Sequence, residues 1–238
     1  MIDTVLSIVK PIDAPGSIPF FLLALAVGLV LRFGWRQTRR IGRNWLVGLV
    51  AGYGILALPL VANGIAGGLA GPRLAATPKR GPLDALVVFD GDNRRGRVRT
   101  ALELWQRSHP QVVWILGGEP EWLRDELPLG GVPASMIRID QSTTNTRDQA
   151  NWVMRYHTDD PQSRLAIIVS RLQTSRVAGL LARLTPQVPL MGAPIDDEPP
   201  TRGARLFVPT YIALRVSRDA LYEHAALAYY RYRGWIVQ

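Results

Sequence analysis

"ALVVFDGDNRRGR" (residues 85–97) joins an unbroken apolar run to two aspartates and then to Arg94, Arg95 and Arg97. Five apolar residues with no polar alternation describe a strand buried on both faces. The residues that follow, Val98, Ala101, Leu102 and Trp105, recur at helical spacing. The same pairing repeats along the chain. "VVWIL" (112–116) precedes "EPEWLRDEL", and "MIRI" (136–139) precedes Ala150, Val153, Met154 and His157. "LAIIV" (165–169) precedes Val177, Leu180, Leu181 and Leu184, and "VPLMG" (188–192) supplies a last strand. Buried strands alternating with helices predict an α/β domain over residues 84–238, with a doubly wound, mostly parallel, Rossmann-like sheet.

Ligands in such sheets bind beyond the carboxyl ends of the strands. The loops there are residues 90–97, 117–121, 140–146 and 170–176, and they hold most of the polar chemistry of the domain. Gly117 and Gly118 let a backbone approach closely. Thr146 with Gln149 fits a capping box, with Asn145 just before it. A helix start also offers N–H groups to an anion. Arg94, Arg95, Arg97, Arg171 and Arg176 lie in or beside the same edge, and arginine suits phosphate or carboxylate. Arg176, inside a helix start, is the expected anion contact.

The N-terminal third reads differently. Residues 44–72 carry no charge, and "IPFFLLALAVGLVL" (18–31) is a second apolar stretch. A bilayer core takes about 20 apolar residues in helix. The expected organisation is a membrane anchor over residues 1–72 with spans at about 18–35 and 44–66, and a linker over 73–83. Pro59 should kink the second span, and Gly48 and Gly52 form a GxxxG pattern suited to packing the two helices. Arg32, Arg36, Arg39, Arg40 and Arg43 crowd the loop between the spans, whereas Lys10 is the one basic residue before them. Short basic loops stay in the cytoplasm. The anchor is therefore expected in a bacterial cytoplasmic membrane, multi-pass, with both termini and the α/β domain outside. That loop also accounts for part of the net charge of +9, from 28 basic and 19 acidic residues. Aromatics do not interleave with the arginines, so nucleic acid is not an expected partner. Cysteine is absent, which excludes disulfides and thiolate chemistry.

Two family resemblances bear on function. The strand followed by "DGDN" resembles the haloacid-dehalogenase phosphatase signature. That implies Asp90 as nucleophile, Asp92 as acid/base and a divalent cation held by both, with Ser170 and Asp196–Asp197 as later motifs. Asn93 departs from that signature, and no lysine follows Lys79.

The order and spacing of the four loops are similar to those of the YdcF/SanA/ElyC family over roughly residues 84–236. Arg99, Thr100 and Ala101 match its first helix and "LGG" (116–118) its second element. "DQSTTNTRDQA" (140–150) matches the third, with Asp140, Thr143, Asn145, Thr146 and Asp148 in place, and "VSRLQTSRV" (169–177) the fourth, with Ser170 and Arg176. Gln173 stands where the family has histidine, which removes a group able to exchange protons near neutral pH. The resemblance implies a membrane-anchored protein of cell-envelope biogenesis, with membrane lipids as partners. Its ligand would be a phosphorylated small molecule or lipid head group, such as an undecaprenyl-phosphate-linked lipid. Arg97, Gly117, Gly118, Thr143, Asn145, Thr146, Ser170, Gln173 and Arg176 are the expected ligand contacts. Three mechanisms stay open: metal-assisted phosphoester hydrolysis by Asp90, Asp92 and Glu119; binding of the lipid carrier without catalysis; and binding of a nucleotide-type ligand, as reported for S-adenosylmethionine in some members.

Overall fold

The computed structural model describes residues 17–69, 83–182 and 188–236. The chain divides into two compact units. One comprises residues 1–68 with 197–224, and the other residues 69–196 with 225–238. Residues 197–224, which the sequence pattern assigns to the α/β domain, thus cluster with the N-terminal helices. The expected linker at 73–83 falls almost wholly outside the described residues.

The second unit is an α/β fold around a five-stranded, all-parallel sheet in the order β3-β2-β1-β4-β5. Its strands are β1 (Ala85–Phe89), β2 (Val112–Leu116), β3 (Ile137–Asp140), β4 (Leu165–Ser170) and β5 (Leu190–Ala193). Alternate residues serve opposite faces, as the pleat requires. Leu86, Val88, Val113, Ile115 and Ile168 pack with Ala101 and Leu104 of a helix at Arg94–Ser108 and with Leu123 and Leu127 of one at Glu121–Leu129. Ala85, Val87, Phe89, Ile167 and Val169 pack with Ala150 and Val153 of a helix at Thr146–Asp159 and with Val177 of one at Thr174–Leu180. Counting from the N-terminus, these helices are α4, α5, α6 and α7. Every residue of β1 and β4 is buried, which explains why both read as continuous apolar runs.

The first unit begins with a helical hairpin, α1 (Ile18–Phe33) and α2 (Arg39–Leu56), followed by α3 (Pro59–Gly67). Small residues make the close contacts. A Cβ on Gly28 would lie 2.5 Å from Leu46 Cδ2, and one on Gly42 would lie 2.4 Å from the backbone nitrogen of Arg32. Trp45 Nε1 donates to Ala24 O (2.8 Å), and Tyr53 Oη donates to Ser17 O (2.9 Å). The GxxxG pair takes no part: nothing lies within 4 Å of a Cβ built on Gly48 or Gly52. The GxxxG spacing is right, but those glycines lie on the wrong side of α2.

No single helix among the described residues is long and apolar enough to cross a membrane. Together α2 and α3 have the length and composition, but they are bent by 69° at the break, and α1 is a shorter apolar helix. The expected span at 44–66 is therefore two helices. Pro59 lacks an N–H to continue α2, and Leu58 before it is extended (ψ 126°), the conformation that proline imposes on its predecessor. The carbonyls freed at this break find partners within the unit. Ser217 Oγ donates to Leu56 O (2.7 Å), and the Thr210 N–H donates to Ala57 O (2.8 Å). His224 Nε2 meets Ile65 O at 3.0 Å near the end of α3. Ser217 and His224 belong to the last helix, α8 (Tyr211–Tyr232).

Candidate functional site

β1 is flanked by β2 on one side and β4 on the other, so the topological switch point lies between β1 and β4. The loops leaving these two strands are tied together there. Asn93 adopts the left-handed region (φ 59°), which a short polar side chain tolerates. Its Nδ2 donates to Ser170 Oγ (3.0 Å) at the end of β4. Arg97, in the first turns of α4, has no exposed surface. Its guanidinium donates to Asp92 O (2.8 Å), to Phe89 O and to Gln173 Oε1 (3.1 Å). A buried cation is retained only when hydrogen-bonded in this way. Arg97 is thus the pin of the switch point, and Gln173 is positioned by it.

The start of α4 also carries an internal anion. Asp196, beyond β5, accepts from the Gly96 N–H (2.7 Å), filling one of the free donors of the helix start. Gly96 is obligatory there, because a Cβ would lie 2.0 Å from Pro194 O.

Asp90 faces the neighbouring loop. Oδ1 accepts from the Gly91 N–H (2.7 Å) and Trp122 Nε1 (3.1 Å), and Oδ2 accepts from the Glu119 N–H (2.8 Å). Gly117 lies against it with φ 149°, and a Cβ there would come within 2.3 Å of Asp90 Cβ. The expected Gly117–Gly118 approach therefore serves the Asp90 anchor, while Gly118 is open to solvent. Glu119 turns outward and pairs with Arg94 (3.1 Å). Asp92 is exposed, and its backbone oxygen, not its carboxylate, holds Arg97. Among the described residues, no group of three or more His, Asp or Glu side chains gathers to hold a metal ion.

The β3–α6 loop forms a second network. Asp140 accepts from the Ser142 N–H (2.9 Å), from the Ser142 hydroxyl and from Trp152 Nε1 (2.9 Å). The Ser142 hydroxyl is the main reason its carboxyl sits below the usual carboxylate range; the Ser142 N–H, Trp152 and Arg155 act in the same direction and burial opposes them. Thr143 is buried and donates to Asp140 O (3.2 Å). The cap of α6 is Asn145, not Thr146. Asn145 Oδ1 accepts from the Arg147 and Asp148 N–H groups (3.0 Å each), and its Nδ2 donates to Asp148 Oδ2 (2.7 Å). Thr146 is the first residue of the helix, and Gln149 is buried with its Nε2 on Leu116 O (2.8 Å). Either Asn145 or Thr146 satisfies the sequence rule; the extended backbone of residue 145 decides.

Arg176 is 6% exposed, with its guanidinium 5.3 Å from the centre of the Tyr230 ring. Tyr230 belongs to an aromatic cluster with Tyr229 and Trp235, and Arg147 stacks on Trp235 at 4.0 Å. Asn93, Trp122, Gln149 and Asp196 complete these networks; the first three were not among the expected site residues, and Asp196, which the phosphatase resemblance implied as a later motif, holds the start of α4 instead. Their partners lie 77, 32, 33 and 100 positions away, beyond the reach of any local pattern.

The arrangement is a well-braced polar edge. The carboxylates of Asp90, Asp140 and Asp196 accept from N–H donors and that of Glu119 pairs with Arg94, and exposed cationic residues, Arg95 and Arg171, stand on the two switch-point loops. The chain matches no family model and no curated protein.

Proposed function

We propose that the chain is a membrane-anchored envelope-biogenesis protein of the YdcF/SanA/ElyC kind. In this reading its α/β unit lies outside the cytoplasmic membrane. There it binds the phosphorylated head group of a lipid carrier, such as an undecaprenyl-phosphate-linked lipid, at the carboxyl edge of the sheet. One observation carries the membrane reading. The α1–α2 hairpin is packed inside-out, with Ala24, Gly28 and Gly42 buried while Leu22, Leu23, Val30, Val47 and Val50 are each more than half exposed. Small residues inside and large apolar residues outside suit a lipid solvent, and soluble surfaces avoid apolar patches of that extent. The freed carbonyls at the α2–α3 break are satisfied within the unit, the condition a broken helix must meet at membrane depth.

Binding without catalysis is the mechanism the side chains favour. Asp90 Oδ2 holds the β2–α5 loop while Oδ1 accepts from its own loop and from Trp122 of α5, Glu119 pairs with Arg94, and Gln173 accepts from Arg97. In this role Arg95 and Arg171 meet the phosphate as charge-assisted donors. Alkaline phosphatase fused after Gln238 should be active, and a fluorescent protein fused there dark. The reverse pattern would remove the α/β unit from the outer face and the envelope role with it.

A further inference from the structure

We infer that residues 202–211 are an interfacial foot that dips into the head-group region of a phospholipid bilayer; the inference rests on the membrane reading of α1 and α2. This segment, "RGARLFVPTY", was no part of the expected anchor. It forms a short 3-10 helix, Ala204–Phe207, and then the start of α8. Phe207, Val208 and Tyr211 are 64%, 54% and 63% exposed, and Arg202 and Arg205 beside them are exposed too. The backbone holding these side chains out is pinned. The Leu206 N–H bonds to Gly203 O (3.1 Å), and the Thr210 N–H bonds to Ala57 O (2.8 Å). Just upstream, Asn63 Nδ2 donates to Pro200 O (2.9 Å). The Thr210 bond ties the segment to the α2–α3 break, the Asn63 bond ties the residues just before it to α3, and the 3-10 helix packs on α3.

An apolar trio fixed in place and facing outward has no folding role. Its chemistry names the occupant. An aromatic phenol, a phenyl ring and a valine flanked by arginines match the boundary between acyl chains and phosphates, where rings sit at head-group level and guanidiniums meet anionic lipid. A protein partner would leave the arginines to find acidic side chains. The bilayer supplies phosphates at that depth, and the same unit already exposes the apolar faces of α1 and α2.

Because the chain has no cysteine, a single spin label can be placed at will on the full-length protein in vesicles of phosphatidylglycerol and phosphatidylethanolamine. Labels would go on Phe207→Cys, Val208→Cys and Tyr211→Cys, with Leu22→Cys and Val50→Cys on the hairpin and Gln141→Cys on the sheet unit as references. The measurement is collision with oxygen, which partitions into lipid, against a water-soluble nickel chelate. Residues 207, 208 and 211 should favour oxygen at least several-fold more than Gln141→Cys, and less than Leu22→Cys. If they match Gln141→Cys while the hairpin labels favour oxygen, the foot is wrong and the membrane reading stands. If the hairpin labels also read as aqueous, both fall. Shielding of the three labels from oxygen and nickel alike would mean a protein covers the segment, a second copy or another chain, and would overturn the bilayer as its occupant.

Discussion

Asp90 sits one residue past β1 with both carboxylate oxygens in use. A nucleophile needs an accessible oxygen; an anchor needs donors, and Asp90 has three. Asp90→Ala should therefore destabilise the fold by about 1–3 kcal/mol, the cost of stranding donors. Asp92→Ala, at an exposed position, should stay within about 0.5 kcal/mol. Thermal unfolding of the full chain followed by tryptophan fluorescence measures both, and equal effects would contradict the anchor role. Asp140 gives a second test. Its folded-state carboxyl is held low, first by the Ser142 hydroxyl. A depressed carboxylate contributes stability that is present above its unfolded value, about 3.9, and is lost as pH falls through the folded value. Asp140→Asn removes that contribution, so wild type should exceed the variant near neutral pH and converge with it as pH drops below about 4. A gap unchanged down to pH 2 would mean that the ionised form is not what holds the loop.

At the scale of elements, the strands were legible because burial on both faces leaves its mark inside each segment. β1 and β2 begin and end where the apolar runs do, and β4 runs on only to Ser170. The helix cap of α6 and the small-residue contact of the hairpin were misread. In both, two adjacent or similar candidates fit one local rule, and the backbone direction that separates them comes from tertiary packing. The break before Pro59 was legible as a kink, but its satisfaction by Thr210 and Ser217, 153 and 161 residues away from their partners, was not. The hairpin makes a paired prediction. Gly42→Leu must push into the Arg32 backbone and should cost about 1–3 kcal/mol or more, as overpacking does. Gly48→Leu meets nothing within 4 Å and should change thermal stability in detergent little. A larger loss at Gly48 would mean that the GxxxG face is the packed one after all.

Across the whole molecule, the sheet was legible from buried runs alternating with helical spacing and the N-terminal helices from uncharged apolar runs, but the two compact units do not follow the expected boundary, because residues 197–224 cluster with the N-terminal helices. The sites are less legible than the fold. The expected ligand contacts Arg97, Gln173, Thr143 and Asn145 are brought to the carboxyl edge, yet each is engaged with the protein itself. Exposed charge around this braced floor is offered by Arg95 and by Arg171, the latter also in contact with the protein itself. Undecaprenyl phosphate and undecaprenol differ only in that phosphate, so the pair isolates the claim. The measurement is native mass spectrometry of the full chain released from nanodiscs doped with one or the other. The account predicts a retained adduct with the phosphate and none with the alcohol. With Arg95→Ala and Arg171→Ala combined, it predicts retention reduced about tenfold or more, as loss of about 1.4 kcal/mol or more of charge-assisted binding requires. Equal retention of phosphate and alcohol, or a double variant that holds the phosphate as well as wild type does, would contradict it.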